Sequence, residues 1–212
     1  MPKNHLVFDF ETLGQNPLSC AAVNIAYYVF DWERFTSDEP YTFEELIGNI
    51  QSAKFDIKDQ VSRFGYKIEN KTLDWWQSQA PHVSSQIKKS PDDLSLEDFM
   101  ENLLTYLRDH TKKANLKRWW SRSNTFDPII LERIAHSTET KKDLGNILQY
   151  NRVRDIRTYI DTRFNFEIKK NGFCPFDDEE EWGRVFEEHN SIHDVAADIL
   201  RLQKIERILN CD

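Results

Sequence analysis

Two apolar stretches near the start of the chain, "HLVFDFE" (5–11) and "AAVNIAYYVFDW" (21–32), constrain the fold more than any other feature. Both are rich in Val, Ile, Phe and Tyr, and the intervening "TLGQNPLS" carries Gly and Pro turn signals, so they read as a strand pair. A third strand is expected within "NIQSAKFDI" (49–57), completing an antiparallel meander. From residue 58 to about 110 the apolar spacing becomes helical. "KTLDWWQSQ" opens after Asn70, and "SLEDFMENLLTYLRDH" runs from Ser95 with Glu97 and Asp98 in its first turn. "LKRWWS" (116–121) is strand-like, and "SNTFDPIILERIAHS" predicts a helix that Ser123 or Asn124 can cap. "RDIRTYIDTRF" (154–164) predicts another helix, a loop occupies 165–190, and a final helix covers roughly 191–209. Strands first, then strands alternating with helices, imply an α/β fold: a mixed sheet, antiparallel meander plus parallel strands, flanked by helices. The length suits one domain over 1–212 with a helical block at about 58–110.

Composition narrows the function classes. Fourteen Phe, seven Tyr and six Trp supply large burial per residue, which excludes a disordered chain. Cys20, Cys174 and Cys211 show no paired spacing, so neither a disulfide framework nor a zinc knuckle is expected, and a reducing cytoplasm fits. No apolar run is long enough to span a bilayer, and no membrane partner is expected. The net charge of −8 argues against a general polyanion binder, so contact with nucleic acid would need cations as intermediaries.

Three places carry candidate chemistry. In "DFE", Asp9 and Glu11 lie two apart on a strand, so both carboxylates leave one face about 7 Å apart along the chain. On a buried face a hard divalent cation between them relieves the cost; on a solvated face the pair needs no explanation. Asp127, in "NTFDP", sits near a helix start, where the dipole suits an acid, and also at a strand-to-helix junction, where open α/β sheets hold ligands. "EEHNSIHDVAAD" (187–198) offers two His-to-Asp pairings, His189 with Asp194 and His193 with Asp198. If Ser191 caps the last helix, His189 lies outside it and can fold back toward Asp194. His193 and Asp198 would both be inside, pointing about 140° apart. Asp194 reads equally well as the acid of an S-x-x-D capping box. An H-x3-H zinc pair of His189 and His193 would require the helix to begin earlier and still needs further ligands. Arg63, Lys67 and Lys71 follow helical spacing and read as a solvated charged face, with phosphate contact as the alternative. Asp155 reads as a helix cap.

The ordered set "DFET", "NTFD" and "HNSIHD" resembles the three motifs of the DEDDh branch of ribonuclease H-like 3′-5′ exonucleases. With "TLDWWQSQAP", "WWSRSNTFDPIIL" and "RDIRT" in order, the chain is most similar to the phage exodeoxyribonuclease DexA group, over Leu6 to about Ile205. The resemblance implies that Asp9, Glu11, Asp127 and Asp194 hold two divalent cations, Mg²⁺ or Mn²⁺, and that His189 is the general base for the attacking water. It places Thr12 and Leu13 beside the terminal nucleotide. Trp75 and Trp76 are candidates for base stacking, one of them being a core residue instead, and Arg122 for phosphate contact. The implied activity is removal of nucleoside monophosphates from single-stranded DNA ends, in the host cytoplasm if the chain is phage-encoded. The alternatives are an exoribonuclease and a catalytically silent nucleic-acid-binding relative.

Overall fold

The computed structural model describes residues 3–111, 116–163 and 185–210. Strand β1 (Asn4–Thr12) lies at the centre of a five-stranded sheet with β2 (Ala22–Asp31), β3 (Gln51–Lys54), β4 (Arg118–Ser121) and β5 (Val153–Asp155), in the order β3-β2-β1-β4-β5. The β1–β2 and β2–β3 pairs are antiparallel, and β1–β4 and β4–β5 are parallel. This is the expected mixed sheet.

Alternation along β1 sends Leu6, Phe8 and Phe10 into one apolar cluster and Val7 into another, so both faces of the strand are covered. The first cluster packs beneath α5 (Leu96–Thr111) and α6 (Asp127–Ser137) through Phe99, Leu103, Ile130 and Ile134. The second packs beneath α9 (Ser191–Leu209), with Val195, Ala196, Ile199 and Leu202 against Val7, Ala26 and Phe30. Small Ala side chains at 196 and 26 let this helix lie close over the sheet. Asp9 and Glu11 continue the Val7 row, so the strand delivers them to the α9 face.

Several boundaries differ from expectation. The third strand is only Gln51–Lys54, because Asp56 accepts a hydrogen bond from the Asp59 N–H at 2.9 Å and caps α2 (Ile57–Phe64). Gly65, at φ +69, ends that helix in the left-handed conformation glycine adopts at least cost. Lys67 therefore lies outside it and Lys71 on the separate α3 (Asn70–Ser78), so Arg63, Lys67 and Lys71 share no helix face. Val153–Asp155 is a strand although the sequence reads as helix from residue 154; three residues are too few to display a period. Asp155 does cap α8 (Ile156–Arg163), accepting from the Thr158 N–H at 2.7 Å. Neither Ser123 nor Asn124 caps α6, which begins at Asp127 after Phe126 with no side-chain cap. Asn190, not Ser191, caps α9 through its Oδ1 and the Ile192 N–H. The helices α1 (Phe43–Asn49) and α7 (Lys141–Ile147) had no expected counterpart, and α4 is the short Pro81–Ser84. Most of the 165–190 loop lies outside the described residues.

Trp76 is 1% exposed and its indole N–H donates to the Thr12 carbonyl at 2.9 Å, tying α3 to the end of β1, whereas Trp75 is 38% exposed. Trp76 is thus the core member of the pair and is withdrawn as a base-stacking residue. Trp76→Ala is expected to cost about 3–5 kcal/mol, and Trp75→Ala about 1 kcal/mol or less, read from denaturant or thermal melts. Equal losses in the two variants would refute this assignment.

Candidate active site

The end of β1 gathers carboxylates from three elements. In the sheet register Asp9 faces Ala26 and Glu11 faces Asn24, partners that leave room above the strand. Asp194, in the first turn of α9, comes down onto them. Asp9, Glu11 and Asp194 each offer an oxygen such that all three lie within 4.8 Å of one another. Asp127, 4% exposed at the start of α6, accepts a hydrogen bond from the Phe10 N–H at 3.2 Å, which fixes it against the backbone between Asp9 and Glu11. Asp9 and Asp127 also line a cleft of about 420 Å³ with Gln15, Arg122, Thr125 and Arg157.

Crowding and burial oppose ionisation of the group. Burial, then the charges of Asp127, Asp194 and Glu11, hold the Asp9 carboxyl well above the usual carboxylate range. Burial and then Asp194 and Asp127 push Glu11 up to about 8. Burial raises Asp127 to about 7 against the opposing Phe10 N–H, its own N–H and Arg157. Burial and Asp198 raise Asp194 to about 7 against Arg122 and Arg201. A set of oxygen-only ligands that cannot all be charged alone fits a hard divalent cation such as Mg²⁺ or Mn²⁺.

Asp198, one helical turn beyond Asp194, is buried and does not meet His193. Its Oδ1 accepts from Arg122 at 3.0 Å and from Arg201 at 2.8 Å. Arg122 is therefore held between β4 and α9, with 19% of its side chain exposed at the cleft. His193 lies inside α9, its Nδ1 accepting from the Glu187 N–H at 3.0 Å and its ring edge-on to Phe43 at 5.3 Å. His189 lies outside the helix at φ +62, half-buried, with its ring edge-on to Trp75 at 4.7 Å. Among the described residues, the acid cluster that can hold a metal includes neither histidine, so the H-x3-H zinc pair has no support.

The remaining candidates divide. Thr12 is near the cluster but largely buried, its hydroxyl donating to the Gly14 carbonyl at 2.8 Å. Leu13 is 1% exposed and belongs to the core, so its side chain offers almost no surface to a nucleotide. Sequence reasoning missed Arg157, an exposed cation on the cleft close enough to Asp127 to lower its pKa. The signal was there: a cation in the first turn of α8 opposes the helix dipole and needs a local anion or a function.

A ribonuclease H-like mixed sheet with acids converging at the end of its central strand is the layout of a DEDD-type 3′-5′ exonuclease, and the comparisons agree. The chain belongs to the family described as 3′-5′ exoribonuclease Rv2179c-like domain, whose model matches residues 4–203. It is 29% identical over 207 residues to the exodeoxyribonuclease of Enterobacteria phage T4, covering 93% of this chain and 86% of that protein. Among solved structures, E. coli exonuclease I with a 5cy-dT13 oligonucleotide superposes with a TM-score of 0.61 at 14% identity over 99% of this chain. The zinc-bound E. coli exonuclease I complex with ssDNA gives 0.58 at 12% identity over the whole chain. The chain spans about two fifths of exonuclease I, 42% and 41% in these two cases, so that likeness speaks for the fold.

A pH prediction follows from the raised carboxyl pKa values. The folded, metal-free protein holds protons that the unfolded chain releases above about pH 4, so its stability falls as pH rises from about 4 to about 8. With chelator, Asp9→Asn is expected to melt higher than wild type at pH 8, by about 2–4 °C per kcal/mol relieved, and to differ little at pH 4.5. A wild type that melts above Asp9→Asn at pH 8 in chelator would contradict the repulsion.

Proposed function

We propose that the enzyme removes nucleoside monophosphates from the 3′ end of single-stranded DNA, with two divalent cations held by Asp9, Glu11, Asp127 and Asp194 and with His189 as general base. The observation that carries this reading is the convergence of Asp9, Glu11 and Asp194 within 4.8 Å beside the buried Asp127. When bound, Mg²⁺ or Mn²⁺ would supply charge for the phosphoryl transition state and acidify the attacking water.

The protein's own residues do the rest. Asp127, fixed by the Phe10 N–H, and Asp194, fixed on the first turn of α9, hold the acid cluster rigid. An imidazole nitrogen of His189 takes the proton of the attacking water. Trp75, 38% exposed and in edge contact with His189, offers a face for the terminal base, and Thr12 lines the approach. Arg122 and Arg157, on the cleft, offset the negative field that an acidic chain presents to a polyanion.

DNA is favoured by the full-length likeness to a protein named exodeoxyribonuclease. The same likeness, to a phage protein, supports a host cytoplasmic setting. RNA is the second reading, favoured by the family's description as exoribonuclease. A catalytically silent relative is disfavoured by the presence of all five motif residues.

The test is degradation of 5′-labelled single-stranded DNA and RNA of matched sequence with Mg²⁺ or Mn²⁺. Shortening from the 3′ end is expected, faster on DNA, and abolished by chelator. Asp9→Ala is expected to remove activity, His189→Ala to lower kcat about 10²-fold or more, and His193→Ala to lower it little. Activity that survives chelator and both of the first two substitutions would overturn the proposal; faster RNA decay would reverse the substrate assignment.

A further inference from the structure

His189 sits at φ +62, a left-handed conformation that a residue with a Cβ adopts only at a cost and that persists where the surroundings hold it. One side chain reaches its backbone from another element. Gln86, in the 3-10 turn Ser85–Ile87 that follows α4, donates from Nε2 to the His189 carbonyl at 3.0 Å. Gln86 Oε1 in turn accepts from Asn24 Nδ2 at 2.7 Å. The amide orientations are dictated from one end: a carbonyl can only accept, so Gln86 presents its NH2 to His189 and its oxygen to Asn24, which must present its own NH2.

Asn24 is on β2, directly across from Glu11, and is 9% exposed. Among the described residues its Oδ1 is buried with no hydrogen-bond partner, so the bond to Gln86 is the one its side-chain amide makes there. The chain of contacts thus begins on the strand pair that carries Glu11 and ends on the residue that carries the imidazole, while the Trp75 ring stops that imidazole from the side.

We infer that Asn24 and Gln86 form a strut that sets the distance between His189 and the carboxylate cluster, and that both are positioning residues for proton transfer. This rests on the assignment of His189 as the base. The strut acts on geometry needed at the chemical step, so its removal lowers kcat and leaves substrate binding almost intact.

The test uses Gln86→Met, which keeps the length and volume of the side chain and removes both hydrogen-bonding groups, in the wild type and in His189→Ala. In the wild type kcat is expected to fall about tenfold with KM nearly unchanged and the melting temperature lowered by the Asn24 amide left unpaired; in His189→Ala no further fall in kcat is expected. Asn24→Leu should reproduce the kcat loss, and the double variant should lose no more than either alone. Full kcat in Gln86→Met beside a crippled His189→Ala would overturn the strut and leave the base assignment standing. Equal further losses in both backgrounds, or a rise in KM alone, would also overturn it. An undiminished His189→Ala would overturn the base assignment, and the strut with it.

Discussion

Burial of four carboxyl groups beside one another at the end of β1, with the repulsion among them, is the constraint on which the site depends. Asp9 and Glu11 share a face because strand geometry gives them no alternative, and that face is covered by α9. Asp127, buried, and Asp194, partly buried, add two further acids in a setting with less water to screen them. Such a cluster is unstable unless protonated or neutralised by a cation, which makes metal affinity and structural tension two aspects of one arrangement.

The surrounding scaffold limits that tension without abolishing it. Asp198 is matched by Arg122 and Arg201, so the fifth acid in the neighbourhood is internally neutralised and anchors the β4 end to α9. Among the described residues the four motif acids receive no such ion pair: Asp127 has backbone N–H groups and the field of Arg157, and Asp194 the field of Arg122 and Arg201. Asp198, paired with two arginines, and Asp194, a member of the acid cluster, thereby lie about one turn apart on the same helix.

What was legible in the sequence follows from how local each signal is. Alternation in "HLVFDFE" displays both the strand and the shared face of Asp9 and Glu11, and a cap expected at Ser191, one residue past the observed Asn190, already leaves His189 outside the last helix and His193 within. The link between Asp127 and β1 depends on a hydrogen bond across 117 residues and that between Gln86 and His189 on one across 103, and no local pattern encodes either. Trp75 and Trp76 are adjacent and chemically identical, so only the packing of α3 against Thr12 separates the core residue from the exposed one. The burial of Leu13 and the pairing of the three-residue β5 are set by distant neighbours, which a local pattern does not display.

If these four carboxyls form a cation site by holding protons until a metal displaces them, calorimetric titration of Mn²⁺ into the metal-free protein at pH 7, in buffers of different ionisation enthalpy, reads both events at once. Binding accompanied by net proton release, with both signals lost in Asp9→Asn and in Asp194→Asn, is the predicted result. Binding without proton release, or of equal strength in the two variants, would contradict it.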